Sequence, residues 1–344
     1  MISLRTTAQS IGVSGRFSVI SDFLGYVTAP KDQSLRQQIW RLRRHILDLN
    51  LIRVGFDSLS EEDRITKEQK IDAAVQFTRD LFAVVDLGIG RVQRYAISTA
   101  EADGLQHLGS GCDAALLTHE WSVPNDAIDV FFVLSYEGDC GGDCLGISAI
   151  SGSCDKEVCA AGDCDCLTGS VIDITSHQLM KQVLPHELGH YLGLDHTSDF
   201  GNLMHPVAAE AFIVLTCAQG SKMRSHCFVR HVDSPHGPAL ALDPAEIHFG
   251  SVRPHDRSTM PLTITNTLGY DVEITIPASS RGMITWPSLN GIVPSGQVVS
   301  MNITFLADSN VGAAERKMLV VTSDDPVGLY AVCITGHVTR GEDR

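Results

Sequence analysis

Residues 186–196 read His-Glu-Leu-Gly-His-Tyr-Leu-Gly-Leu-Asp-His. On a helix of 3.6 residues per turn, His186 and His190 leave the same face one turn apart, so both imidazoles can reach one metal ion. Glu187 stands beside the first of them, placed to touch a water on the metal without filling a ligand position. Gly193 suits a left-handed turn that ends the helix and returns the chain, so that His196 can supply a third nitrogen. Three protein ligands leave a fourth position for water, the arrangement of a catalytic zinc ion rather than a closed structural one. Zinc lowers the pKa of its water from about 15.7 to about 7. Glu187 is the candidate general base, taking that proton and passing it to a leaving amine. The competing reading is a polar helix with incidental histidines, and five fixed identities within eleven residues weigh against it.

Beyond the third histidine comes Asn202-Leu203-Met204-His205-Pro206, with Met204 eight residues after His196 and Thr197 next to it. Together with the zinc motif, these residues resemble the metzincin metallopeptidases, and within them the matrixin-like group. The resemblance implies a Met-turn at Met204, a structural floor under the metal. It also implies a closing helix over residues 215–226 and an edge strand at Gly146, Ile147, Ser148, Ala149 and Ile150. In that family such a strand pairs with extended substrate, a form of β-strand addition. The implied activity is zinc-dependent endopeptidase, with a protein or peptide as partner and one catalytic Zn²⁺ as cofactor. There are departures. Pro185 directly precedes His186, which predicts a kink or a late helix start. His205 stands where matrixins commonly carry tyrosine, and no cysteine-switch propeptide is present. His107, His119, His205 and His226 have no ligand spacing and read as surface or core histidines.

The elements that must position these groups follow from periodicity. Residues 34–47 carry Leu35, Ile39, Leu42 and Ile46 at helical spacing, and residues 51–56 read as a strand. Residues 66–85 form an amphipathic helix with Thr66 as N-cap and Gln69 completing a capping box. Strands are expected at residues 92–98, 128–136, 146–150 and 171–175, then the motif helix, then a last helix capped by Thr216 and Gln219. This order predicts an α+β catalytic domain, metzincin-like by the resemblance, over residues 1–234.

Seven of ten cysteines fall between Cys112 and Cys166. Within the insertion at residues 137–166, disulfide bracing is the leading reading. A cysteine-bound structural zinc and a calcium site on Asp139, Asp143, Asp155, Asp163 or Asp165 stay open beside it. Cys333, alone in its region, reads as a buried thiol. Cys217 and Cys227, if on one helix, stand too far apart to pair.

Residues 239–340 hold strand-like runs at 247–252, 260–265, 272–276, 298–305, 316–322 and 329–338, separated by turn residues. They predict an all-β antiparallel sandwich. The phrases Leu-Asp-Pro-Ala-Glu-Ile-His-Phe-Gly at 242–250, Leu-Thr-Ile-Thr-Asn-Thr at 262–267, Pro294-Ser295-Gly296 and Thr-Ser-Asp-Asp-Pro at 322–326 resemble immunoglobulin-like domains of the hydin or choice-of-anchor D type. By that analogy the domain is an accessory module that binds a surface or a partner. The segment at 233–238 is the expected linker.

With 26 Lys and Arg against 41 Asp and Glu, the formal charge is −15, which argues against nucleic acid as a partner. No apolar run is long enough for a transmembrane helix. The N-terminus is not a convincing signal peptide, yet the cysteine crowding implies a secreted or cell-surface protein. Two further readings compete with the endopeptidase: a non-cleaving binding or adhesion protein on the same core, and a zinc hydrolase of non-peptide substrates.

Overall fold

Strands covered on both faces set this architecture: residues 45–54 and 128–133 are buried along almost their whole length. The computed structural model describes residues 18–20, 45–138, 144–159, 162–175, 180–207, 213–231, 240–322 and 329–339. The chain begins there with β1 (Ser18–Ile20) and β2 (His45–Val54), the latter buried along almost its whole length. Helix α1 (Glu61–Ala83) follows, then β3 (Gly88–Ile97), a short α2 (Thr99–Ala102), β4 (His107–Leu108) and α3 (Gly111–Glu120). Next come β5 (Ile128–Val133), β6 (Ser135–Tyr136), β7 (Gly146–Ser148), β8 (Ser170–Asp173), α4 (Met180–Tyr191), α5 (Cys217–Arg224) and β9 (Val229–His231). The first sheet runs β1-β3-β2-β5-β8-β7, with β9 also on β2. Its central strands β3, β2, β5 and β8 are parallel, and β7 lies antiparallel at the edge. Leu49, Val130 and Phe132 face α1 and α4 on one side, while Ile52, Phe131 and Val171 face α3 and Trp121 on the other.

Several boundaries differ from expectation for physical reasons. Helix α1 starts at Glu61, not near Thr66. The Ser60 side chain accepts the Asp63 N–H, and Glu61, Glu62 and Asp63 sit in the first turn, where the helix dipole favours anions. The expected helix at 34–47 falls at residues 34–44 outside the described residues, and residues 45–47 belong to β2, paired with β3 and β9. Pro185 neither delays nor ends α4, which runs from Met180 through it. At Thr216 and Gln219 the capping box is present in full, as expected.

The insertion is tied down covalently and by charge. Disulfides join Cys112 to Cys164, Cys159 to Cys166 and Cys154 to Cys227. Lys156 reaches under the sheet, its Nζ 2.8 Å from Asp129 Oδ1 and 2.9 Å from the Val123 carbonyl. Burial raises the Asp129 pKa and lowers that of Lys156, while each charge holds the other. Ser151 and Gly152 donate their N–H groups to the carbonyls of His190 and Tyr191, closing the end of α4.

The rest of the chain forms two facing sheets. The first has four strands in the order β10 (Leu240–Asp243), β12 (Arg257–Asn266), β16 (Val298–Leu306) and β14 (Ile284–Thr285). The second has five, in the order β11 (Glu246–Val252), β18 (Leu329–Val338), β17 (Gly312–Thr322), β13 (Val272–Ile276) and β15 (Leu289–Val293). Alternate residues of both, among them Ile264, Ile303, Phe305, Val320 and Ile334, fill the space between them. One pair departs from the antiparallel expectation: β11 runs parallel to β18. The whole is a mixed α and β structure with many strands and few helices among the described residues. The 233–238 segment lies outside them.

Candidate metal centre

The α4 helix buries Leu184, Leu188 and Tyr191 on its core side, which turns His186, Glu187 and His190 toward the cleft. Gly193 takes φ +99° and its N–H closes on the His190 carbonyl at 2.8 Å, the expected left-handed stop. The chain then brings His196 back. The three Nε2 atoms stand 3.1, 3.1 and 3.3 Å apart. Four nitrogen ligands at zinc distance in a tetrahedron would be about 3.3 Å apart.

Proton placement decides what those contacts are. His186 Nδ1 lies 2.8 Å from the Leu203 carbonyl and His190 Nδ1 lies 2.7 Å from the Leu194 carbonyl. A carbonyl only accepts, so both Nδ1 atoms carry the proton and both Nε2 atoms present lone pairs. Two lone pairs facing each other at 3.1 Å repel unless a cation lies between them. Burial pushes the His186 pKa down to about 4 and lowers that of His190, which keeps both rings neutral at pH 7. The donor set therefore fits a borderline-soft dication such as zinc.

Glu187 is 6% exposed, its Oε2 has no hydrogen-bond partner, and burial raises its carboxyl to about 8. The opposite wall is β7. A Cβ on Gly146 would stand 2.8 Å from Glu187 Oε1, so only glycine lets the strand pass this close. Met204 is fully buried beneath the helix, and a Cβ on Gly189 would stand 2.6 Å from its sulfur. Met204 is tied to the loop of the third histidine, since the Thr197 N–H donates to the Met204 carbonyl at 3.0 Å.

These groups open on one cleft of about 710 Å³. Of the residues 146–150 that the resemblance implies as an edge strand, Gly146, Ile147, Ser148 and Ile150 line it and Ala149 is not among its lining residues. Only Gly146–Ser148 is strand; residue 149 belongs to no element and residue 150 begins a turn. The sequence places the pocket wall on the residues after His196, roughly 197–212, and Phe200 and His205 of that span line the cleft; Gln182 and Ile213, which also line it, lie outside that span. Gln182 had a signal, since it precedes His186 by one turn on the same face. His205, read as an ordinary histidine, packs its ring against Phe200 at 4.4 Å between centroids. Among the described residues the triad is the only set of three or more candidate ligands close enough to share an ion. Asp139 and Asp143 lie outside them, while Asp155 and Asp163 accept N–H groups of their own turns.

Comparison with known proteins bears on part of the chain. Residues 97–214 match the family model of matrixin, a span that holds the triad, Glu187, Met204 and β7. No curated protein matches. Among solved structures, the ASH/PapD-like domain of human CEP192 (PapD-like domain 7) is 15% identical with a TM-score of 0.27, covering 30% of this chain and 87% of that one. WR4, a C. elegans MSP family member, is 12% identical with a TM-score of 0.23, covering 29% of this chain and 98% of that one. Over residues 97–214 the chain carries a matrixin-like domain.

Proposed function

We propose that this protein is a zinc-dependent endopeptidase in which His186, His190 and His196 hold the ion and Glu187 is the general base. The observation that carries the reading is the set of three converging Nε2 atoms, two of them locked as lone-pair donors, with an unpaired carboxyl beside them. When bound, zinc supplies a Lewis acid that acidifies a coordinated water and polarises a carbonyl. The chain does the rest. Glu187, buried against Gly146, holds a proton between attack and departure of the amine. Strand β7 offers its free edge to an extended peptide, and the apolar side chains of Ile147, Leu203 and Ile213 exclude water from the cleft. Four disulfides among the described residues and the matrixin match support a secreted setting. We assign the two-sheet region a role as an attached immunoglobulin-like module.

Two variants test this. Glu187→Ala should keep zinc and lose about 10²–10⁴-fold or more of peptide cleavage. His190→Ala should lose both, because two histidines hold zinc poorly. A parent that binds zinc but cleaves no peptide in a mixed library would favour the non-cleaving binding protein. A Glu187→Ala protein that cleaves like the parent would overturn the assignment.

A further inference from the structure

The two-sheet region is joined to the metal centre through the short helix α5. Cys217, the first residue of α5, is bonded to Cys333 of β18, and both are almost fully buried, at 4% and 5% exposed. The Cys217 N–H, one of the donors that a helix start leaves unpaired, donates to Glu315 Oε1 of β17 at 2.7 Å. At the other end Arg224 pairs with Glu246 of β11. The two-sheet region thus grips both ends of an eight-residue helix. A helix that short is marginal by itself, and α5 buries only Cys217, Gly220 and Met223. Its place depends on what holds it.

From α5 the contacts continue to the metal loop. Gln219 and Asn202 exchange two amide hydrogen bonds, each 2.9 Å. Asn202 Oδ1 also accepts the Met204 N–H at 2.9 Å. The residue between them, Leu203, supplies the carbonyl that fixes the His186 tautomer. Lys222 of α5 adds an exposed ion pair to Asp195 at 3.3 Å, which contributes little in water.

We propose that the two-sheet region is a brace for the metal centre: through the Cys217–Cys333 bond and the Gln219–Asn202 amide pair it keeps the Leu203 carbonyl on His186. Cys217, Gln219 and Asn202 are then positioning residues. This rests on the zinc reading above. It also departs from a freely tethered accessory module, because the module's removal would reach the ion through four residues. Partners behind a metal ligand typically govern about 10–100-fold in metal affinity.

The test is a double-mutant cycle on the full chain: parent, Cys217→Ser with Cys333→Ser, Gln219→Leu, and the combination. Zinc affinity is read by competition with a chromophoric chelator, and ligand geometry by the visible absorption of the cobalt-loaded proteins. The far-ultraviolet circular dichroism of each serves as a check on folding. The brace predicts about 10-fold weaker zinc and an altered cobalt spectrum in each of the first two variants. Their combination should be no weaker than about the worse of the two, because both cut one chain of contacts. Effects that multiply in the combination, or variants with the parent's affinity and spectrum, overturn the brace while leaving the zinc reading intact. A parent that binds no zinc overturns the zinc reading itself. Should the double-serine chain fail to fold, Gln219→Leu, which keeps the disulfide, decides against the parent alone.

Discussion

At the scale of single residues, burial drives the Glu187 carboxyl and the His186 and His190 imidazoles in opposite directions. Glu187 rises from 4.5 to about 8, so in the metal-free protein it favours the folded state fully below about 4.5 and loses that contribution as pH rises to about 8. Metal-free Glu187→Gln should therefore melt several degrees higher than the metal-free parent at pH 8, at about 2–4 °C per kcal/mol for a domain of 150–250 residues, and gain nothing at pH 4. A lower melting temperature at pH 8 would contradict the burial account. His186 behaves the other way. Its pKa falls from 6.5 to about 4, so its contribution is present above about 6.5 and is lost as pH drops to about 4. In the metal-free Glu187→Gln background, where the carboxyl no longer titrates, thermal stability should decline across that window; a flat profile would count against buried neutral imidazoles. The three histidines of the candidate site are legible in the sequence because their spacing is local: one helical turn, then a glycine reversal. The residues that tune them are not, since the carbonyls of Leu203 and Leu194 are invisible to a reading of side-chain types.

At the scale of elements, a buried ion pair among the described residues ties the insertion to β5, while disulfides tie it to α3 and to the segment after α5. Lys156→Ala would leave Asp129 fully buried without its cation, a change that costs about 3–5 kcal/mol. Urea unfolding of the oxidised protein should register that loss; a decrease under about 1 kcal/mol would mean that Asn50 and the Val123 N–H already satisfy Asp129. Nothing in the sequence around Lys156 marks it as internal, because its partner is 27 residues away on β5. The start of α5 was readable, since Thr216 and Gln219 cap within one turn. The start of α1 was not, because its first turn is charged and carries no apolar stripe, and periodicity registers only the turns that touch the core. The parallel centre of the first sheet was equally hidden, as parallel pairing is set by crossovers rather than by any one strand's pattern.

At the scale of the whole molecule, the Cys217–Cys333 bond changes how the two regions relate. The sequence reads Cys333 as a solitary buried thiol, because spacing says nothing about a partner 116 residues away. With a specific protease site placed between Asp233 and Pro238, the two cut pieces should stay joined until a thiol reductant is added; separation under non-reducing conditions would show that the bond does not form. The reach of that bond to the metal loop also gives a physical reason why cleavage activity should belong to the oxidised full chain. The central claim is the zinc peptidase itself, and the most direct measurement is peptide cleavage followed through metal removal and return. Purified full-length protein is incubated with a mixed peptide library, then stripped by a chelator, then restored with one equivalent of zinc, with new termini read by mass spectrometry. Cleavage should vanish on stripping and return with zinc at the same bonds. Cleavage that persists in the stripped protein, or none at any stage in protein loaded with zinc, would contradict the account.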